Sequence, residues 1–406
     1  MDLIIRNARL RKTEGLRDIG ISGGRIAAIE PKISGKGAQE VDAGGRLVTE
    51  SYVNTHLHLC KVYTLAMMDE MALAAYHGDG MGKAMNAIEL AARIKEQYDE
   101  EWILPNVRKA LRLAARFGCT HIRAFADVDS KAKLVGVKAL LKAREEFRGV
   151  VDVQVVAFPQ DGVAREPGTL GLIRNAMELG ANVVGGIPWI EFTEADSLDH
   201  VEQMVRIARE FDADVSMLVD DAGDPGLRTL EMLASSLIRE GMVGRGLAHH
   251  ARAMALYPTP YFQKISALLK KADMGVVSDP HTGPLHARVR ELLAEGNLVC
   301  LGQDDISDAY YPYGRNNMLE VAFLNSHLLW MTGREDMEVL YDMVTTKAAR
   351  CMHVSDFGLT VGKTAHLVVL REKNLTDALR NHREPLHVVS HGRLLDSTLY
   401  AEGDDE

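Results

Sequence analysis

Two histidines stand one residue apart at the end of a hydrophobic, strand-like run. Residues 52–55 lead directly into His56-Leu57-His58. Successive side chains of a strand point to opposite faces, so residues two apart share a face and the two imidazoles are expected side by side. This spacing predicts a site for one metal ion.

Polar residues that could complete such a site stand at the ends of four further apolar runs. They are Gln160, Asp220, Asp221, His249, His250, Asp304 and Asp305. Side chains of these types bind metals, carry protons and hydrogen-bond the edge of a polar ring.

The apolar runs themselves alternate with helix-like segments, which predicts the scaffold. Eight runs occur, at residues 52–58, 120–125, 151–158, 183–189, 215–219, 246–250, 274–278 and 298–302. Eight strand–helix units in sequence predict an α/β fold, a (β/α)8 TIM barrel. In that fold the active site lies at the carboxyl ends of the strands, where the polar residues stand. Residues 61–93, after the first run, are expected to help shape the lid of the pocket.

Both ends of the chain carry short β patterns with glycine-containing turns, as at Gly23-Gly24 and His391-Gly392. We expect residues 1–50 and 356–406 to join into one small, β-sandwich-like domain beside a barrel of residues 51–355.

Asp304 is the carboxylate expected to join His56 and His58, because the eighth strand of a closed barrel lies beside the first. A carboxylate there could bind the metal and also take a proton from water. The alternative for Asp304 and Asp305 is a pair of helix-capping aspartates, and for Asp305 the two interpretations stay equally open.

The other polar residues indicate proton transfer and substrate binding. Strand alternation allows only one of His249 and His250 to face the barrel axis, where a neutral imidazole can polarise a substrate or shuttle protons. Asp221, at the mouth of the fifth strand, is the better candidate for a general acid or base. The Gln160 amide can both donate to and accept from the edge of a substrate.

Several classes of protein lack support in the sequence. The net charge of −10, without a Lys/Arg cluster, argues against nucleic acid or an anionic membrane as partner. No run of about 18 apolar residues predicts a membrane helix. Four scattered cysteines and a short N-terminal apolar stretch suit a reducing cytoplasm, where we expect the protein. No lysine in residues 183–189 offers a bridge between two metals, so a single metal is favoured.

Nearly the whole chain resembles the amidohydrolase superfamily, and within it the cytosine deaminase-like group. The resemblance rests on residues 2–8, 56–58, 151–160, 183–188, 302–305, 311–314 and 361–370. It implies a hydrolase with one zinc or iron ion that cleaves a C–N bond of a small nitrogen heterocycle, such as a pyrimidine or triazine. By analogy it also implies a homo-oligomer.

The resemblance assigns roles residue by residue. It places the metal ligands on His56, His58 and Asp304, the polarising histidine on His250, the carbonyl-reading glutamine on Gln160, the aspartate near the leaving amine on Asp305 and an aromatic wall on Tyr310. Asp221 takes the place of a proton-shuttling glutamate and is one methylene shorter.

One family ligand is missing. The family's fifth strand carries a metal-binding histidine in a pattern like Asp-Val-His-x-Asp-Glu. With Asp220 and Asp221 in register, Leu218 stands in its place and cannot coordinate a metal. Near the C-terminus, His366 replaces the aspartate of the family's Gly-Lys-x-Ala-Asp-Leu-Val-Val-Leu.

Three explanations of Leu218 stay open. Another residue completes the site, with His250 ahead of Asp220; or three protein groups and waters hold the metal; or the chain binds a ligand without hydrolysing it. The first two are favoured because the rest of the metal shell is intact. A hydrolase of a non-nucleobase amide or C–N substrate is a further alternative.

Overall fold

The computed structural model describes residues 1–68 and 84–400. Residues 69–83, which belong to the segment expected to shape the lid, and residues 401–406, at the end of the expected β domain, lie outside the described residues.

The chain begins with five short strands that share one apolar face. They are β1 (Leu3–Leu10), β2 (Leu16–Ser22), β3 (Arg25–Glu30), β4 (Gln39–Asp42) and β5 (Leu47–Glu50). β1 is central: it pairs antiparallel with β2 and parallel with β4 and β5. The β2–β3 turn is made by Gly23 and Gly24, both at positive φ, as the glycine pattern predicted.

Eight parallel strands follow and form the barrel. They are β6 (Tyr52–Leu57), β7 (Cys119–Asp127), β8 (Asp152–Phe158), β9 (Val183–Gly186), β10 (Asp214–Val219), β11 (Gly246–His250), β12 (Gly275–Ser278) and β13 (Val299–Leu301). Each corresponds to one predicted apolar run, which confirms the (β/α)8 prediction. The strands are buried nearly throughout, since helices cover their outer side.

The barrel closes where β6 meets the end of β13. The His58 amide donates to the Asp304 carbonyl at 2.9 Å, and the Asp304 amide donates to the His56 carbonyl at 2.9 Å. Gly302 permits this approach, because a Cβ there would lie 2.6 Å from the Cβ of His56. Closure therefore brings the chain near residue 304 beside the paired histidines.

Helices surround the barrel and join its strands. They are α1 (Ala84–Lys95), α2 (Glu100–Arg116), α3 (Val135–Glu146), α4 (Thr169–Glu178), α5 (Glu194–Glu210), α6 (Thr229–Arg239), α7 (Thr259–Ala272), α8 (Val289–Ala294), α9 (Met318–Leu328), α10 (Arg334–Met343), α11 (Thr346–Cys351) and α12 (Leu375–Asn381). Among the described residues, none of these helices has both the length and the apolar character needed to cross a membrane.

The last strands return to the first ones. They are β14 (Leu367–Val369), β15 (His387–Ser390) and β16 (Arg393–Leu394). β14 pairs antiparallel with β5, and the sheet runs β16-β15-β14-β5-β1-β2-β3 with β4 beside β1. Both termini thus build one separate sheet around its own apolar core, as predicted, with a turn at His391 and Gly392.

Candidate active site and metal centre

The three predicted metal ligands meet at the carboxyl end of the barrel. His56 Nε2 lies 3.1 Å from Asp304 Oδ1, and His58 Nε2 lies 3.7 Å from the same oxygen. One potential ligand atom from each residue lies within 4.8 Å of the other two. The strand spacing sets the two imidazoles together, and barrel closure supplies the carboxylate.

The charge states of these groups suit a metal. Burial lowers the pKa of His56 and lowers that of His58 further, so both imidazoles are neutral and keep a lone pair. Burial alone would raise the pKa of Asp304, but His250 and His56 hold it well below its ordinary value. Two neutral imidazoles and an ionised carboxylate form a donor set that zinc and iron prefer.

The hydrogen bonds of His56 leave one nitrogen for a metal. Its Nδ1 lies 2.5 Å from His249 Nδ1, so one of these two nitrogens carries the proton. Its Nε2 is buried and has no partner at hydrogen-bond geometry among the described residues. A buried nitrogen without a hydrogen-bond partner, beside an ionised carboxylate, is what a metal ligand offers to its ion, so these residues fit a metal.

Both residues of the His249-His250 pair reach the site, which corrects the expectation that only one would face the axis. The ring centroids of His249 and His250 lie 4.5 Å and 4.9 Å from that of His56. The cause is local backbone geometry. His250 has φ +66°, a left-handed conformation that breaks the alternation of the strand and turns its side chain back toward the pocket. His250 therefore lines the cavity while His249 supports His56 from behind.

Leu218 lies in the wall of the pocket and offers no ligand. His250 is the nearest substitute, with Nε2 3.8 Å from Asp304 Oδ1 and Nδ1 3.6 Å from Asp279 Oδ2. Asp279 follows β12 and was not singled out from the sequence, although its place after the seventh apolar run is the same signal that marked the other site residues. His56, His250 and Asp279 form a second group close enough to hold an ion.

Asp220, the other substitute considered for the missing histidine, serves a structural role. Its Oδ1 accepts from the Thr229 amide at 2.6 Å and from the Thr229 hydroxyl at 2.7 Å, while its Oδ2 accepts from the Tyr257 hydroxyl. Oδ1 therefore fixes the start of α6 and Oδ2 is held by Tyr257, so both oxygens have structural partners. Asp220 has φ +47°, so the chain turns between Asp220 and Asp221 and aims the two carboxylates differently.

Asp221 lines the cavity beside a buried guanidinium. Arg252 Nη1 donates to Asp221 Oδ1 at 2.6 Å, and Arg252 Nη2 lies 3.7 Å from Asp304 Oδ2. Burial raises the pKa of Asp221 to about 7, although Arg252 acts in the opposite direction. The carboxyl can therefore take or give a proton near neutral pH.

Arg252 is a functional residue that sequence reasoning missed. It follows β11 after Ala251, whose φ of +48° turns the chain back over the barrel mouth. No periodicity marks such a turn in advance. The guanidinium adds a fixed positive charge between Asp221 and Asp304, which balances two buried carboxylates near the predicted metal.

A second buried cation, Lys61, lines the pocket. Sequence reasoning assigned it no role of its own, although it begins the segment expected to shape the lid. Its Nζ donates to Gln160 Oε1 at 2.8 Å and lies 4.7 Å from the centre of the Tyr310 ring. Burial alone would lower the pKa of Lys61, but neighbouring carboxylates, including Asp305, hold it above its ordinary value. The ammonium group only donates, so it fixes the Gln160 amide with its oxygen toward Lys61.

The residues predicted to touch a substrate share one cavity with His58 and Asp304 of the metal group. Gln160, Asp221, His250, Asp305 and Tyr310 all line it. Apolar side chains complete the wall: Ile88, Ile187, Trp189 and Leu218. Such a mixture of apolar wall and convergent polar groups suits a small, flat, polar ring.

Helix α1 carries Ile88 to this wall and is held in place by its last residue. Lys95 is buried, with Nζ 2.8 Å from Asp129 Oδ2 and in contact with Asp161 Oδ1. The two carboxylates follow the second and third barrel strands, so the ion pairs dock the helix onto the barrel mouth.

Comparison with known proteins gives consistent matches. Residues 96–396 match the model of the amidohydrolase family. The chain is 31% identical over 399 residues to N-isopropylammelide isopropyl amidohydrolase of Pseudomonas sp. (strain ADP), covering 97% of each protein. It is 23% identical over 412 residues to pterin deaminase of Rhizobium rhizogenes, covering 95% of this chain and 90% of that one.

Solved structures agree with these relatives. 5-Methylcytosine deaminase from Klebsiella pneumoniae superposes with a TM-score of 0.89 at 30% identity, over 97% of this chain and 98% of that one. N-isopropylammelide isopropylaminohydrolase from Burkholderia multivorans superposes with a TM-score of 0.85 at 27% identity, over 97% of both chains.

Proposed function

Because this chain belongs to the amidohydrolase family, we propose that it is a metal-dependent hydrolase that releases an amine from a small nitrogen heterocycle, such as a pyrimidine or triazine. One observation carries the proposal: His56, His58 and Asp304 converge at the cavity that Asp221 and His250 also line. The named relatives act on heterocycles of this kind, which supports the substrate class.

The proposed cofactor is one divalent transition metal, zinc or iron, held by His56, His58 and Asp304. When bound, such an ion lowers the pKa of water and polarises the substrate. The donor set on these three residues supports the assignment.

The chain's own residues supply the proton transfers. In the reaction the oxygen of water replaces nitrogen on a ring carbon, and the C–N bond breaks with its electron pair going to the nitrogen. Asp304 or His250 takes the proton that water gives up. The leaving nitrogen needs a proton, and Asp221, whose pKa lies at about 7, supplies it. Arg252 holds Oδ1 of Asp221, which leaves Oδ2 toward the cavity, 4.0 Å from His250 Nε2.

Gln160 fixes which edge of the ring enters. Because Lys61 occupies the amide oxygen, the Nε2 group of Gln160 is the part that remains for the substrate, and it donates. The matching edge of the substrate must therefore carry a carbonyl oxygen or an unprotonated ring nitrogen. Tyr310, with Lys61 over its ring, closes one side of the cavity, and Asp305 lines it nearby.

Amine release from a panel of substrates tests the function. Aminopyrimidines, alkylaminotriazines and pterins are offered to protein reloaded with zinc or with iron, and ammonia or free amine is measured. We expect turnover of at least one ring class and none with the Asp304→Asn protein as matched control. Silence of the metal-loaded protein across the whole panel, with one ring raising its melting temperature, would instead identify a binding protein.

Restoring the missing ligand is expected to tighten metal binding. In Leu218→His an imidazole would replace an apolar side chain in the wall beside the three ligands, and we expect the dissociation constant for zinc to fall by about tenfold or more, equal to ~1.4 kcal/mol. Competition with a chromophoric chelator measures the change. Leu218→Met is the control of similar volume, and an unchanged constant in Leu218→His would show that another group already fills the fourth position.

Removing the lysine that orients the amide is expected to weaken substrate binding. In Lys61→Met the Gln160 amide loses its fixed orientation, so we expect KM to rise by about 10–100-fold while kcat changes less. Steady-state kinetics on the substrate found in the panel measure both. Lys131→Met removes a cation that is a third exposed and pairs with Asp161, and serves as control. If kcat in Lys61→Met fell by the same factor as KM rises, the lysine would instead act in the chemical step.

A further inference from the structure

A second cluster of metal-binding side chains lies at the opposite end of the barrel from the active site. His121 and Asp152 are paired near the starts of β7 and β8. His366 precedes β14, and His391 forms the turn between β15 and β16. The four residues therefore join the floor of the barrel to the sheet built from the two termini.

The geometry of the cluster is that of a ligand set. One nitrogen each from His121 and His366 and one oxygen of Asp152 lie within 4.8 Å of one another. His121 Nε2 is 3.3 Å from Asp152 Oδ2, and His391 Nε2 is 3.0 Å from the same oxygen. The ring centroid of His366 lies 4.7 Å from that of His121 and 4.5 Å from that of His391.

The surroundings prepare these atoms for a cation. The Thr120 hydroxyl lies 2.9 Å from His121 Nδ1, which leaves Nε2 toward Asp152. Burial lowers the pKa of His121 to about 4 and that of His366 to about 3, so both imidazoles are neutral. Burial alone would raise the pKa of Asp152, but His391 and His121 keep it below its ordinary value. His121 and His366 thus offer imidazole lone pairs beside one ionised carboxylate. The hydrogen bond to Asp152 raises the pKa of His391, so a metal ion there would have to displace the proton of that imidazole.

The strand pattern does not require a histidine at position 366 or at position 391. His366 takes the place of the aspartate in the family's C-terminal motif, and His391 occupies the second residue of a turn with φ +49°. The two positions are linked, because His366 Nδ1 accepts from the His391 amide at 3.4 Å. Their shared feature is that both turn toward Asp152 and His121 across the domain boundary.

We propose that His121, Asp152 and His366 bind a divalent transition metal, with His391 as the fourth ligand, and that this ion fastens the terminal sheet to the barrel. Imidazole nitrogens and carboxylate oxygens are zinc ligands, and three imidazoles with one carboxylate would supply the four ligands of a tetrahedral site. The ligands come from four distant parts of the chain, so binding would stabilise the folded state over the unfolded one. This site is separate from the catalytic centre and does not depend on the proposed reaction.

Metal stoichiometry and stability in a protein without the active-site ligands test the proposal. The full chain carrying His58→Asn and Asp304→Asn is freed of metal with a chelator, dialysed and titrated with Zn²⁺ and with Co²⁺. We expect about one equivalent of tight metal, a rise of several degrees in the melting temperature with Zn²⁺, and the visible absorption of four-coordinate Co²⁺. The unmutated chain is expected to bind about two equivalents.

Adding His366→Asn to that protein should abolish the remaining binding, the thermal shift and the Co²⁺ spectrum. His353→Asn is the matched control, because His353 is partly exposed and pairs with Asp214 instead of Asp152. Circular dichroism without metal shows whether each variant folds. The proposal is overturned if the active-site double variant binds no metal, or if Zn²⁺ raises the melting temperature equally with and without His366; a hydrogen-bonded cluster without metal would give either result.

Discussion

Asp304→Asn is expected to remove both the bound metal and the turnover of this protein. Asp304 Oδ1 is the atom that His56 Nε2, His58 Nε2 and His250 Nε2 all approach within 3.8 Å. The neutral amide of an asparagine binds cations weakly. Because the site is buried, holding a metal ion there without the negative charge of Asp304 is also costly. Metal ions contribute several kcal/mol to such reactions, so we expect kcat/KM to fall by at least about 10³-fold.

Metal content and amine release, measured on the same preparation, check this expectation. His58→Asn should behave like Asp304→Asn, because it removes a second ligand of the same ion. His327→Asn, at an exposed position of α9, controls for loss of a histidine elsewhere. Full activity of Asp304→Asn together with a full equivalent of metal would contradict the ligand assignment and with it the proposed function.

Asp221→Asn is expected to stop proton transfer without removing the metal. The asparagine keeps the shape of the carboxyl group and its contact with Arg252 but cannot deliver a proton. General acid–base catalysis contributes about 10²–10⁴-fold, so we expect kcat to fall by that factor while the metal content stays unchanged. Steady-state kinetics and metal analysis together separate this effect from loss of the ion.

Asp221→Glu distinguishes a proton carrier from a structural partner of Arg252. A glutamate retains the ionisable group and reaches one methylene further, so we expect it to recover much of the activity lost in Asp221→Asn. Asp224→Asn, in the exposed turn that follows, is the control. If the glutamate and asparagine variants were equally inactive and both melted at lower temperature, Asp221 would be a structural partner of Arg252.

Arg252 places a positive charge beside the carboxylates of Asp221 and Asp304. The guanidinium lies between Asp221 and Asp304, in the pocket that Leu218 also lines. A fixed cation partly neutralises the carboxylates without occupying a metal ligand position.

The amino-acid sequence alone determined the scaffold and the metal group. Eight apolar runs predicted eight parallel strands, and all eight are present because each strand buries both faces and so needs a continuous apolar pattern. The spacing of His56 and His58 fixed their common face, since a strand alternates with period two. Asp304 followed from closure of the barrel, which sets the end of the last strand beside the first.

The tertiary structure alone decided which neighbours of these residues reach the pocket. Lys61 and Arg252 line the site, yet they stand in turns whose direction no strand pattern fixes. Left-handed backbone at His250 and Ala251 turns both His250 and Arg252 inward, and the turn at Asp220 separates its carboxylate from that of Asp221. Strand periodicity is a local property of the chain, whereas the direction of a loop depends on contacts with distant residues, so only the folded molecule sets it.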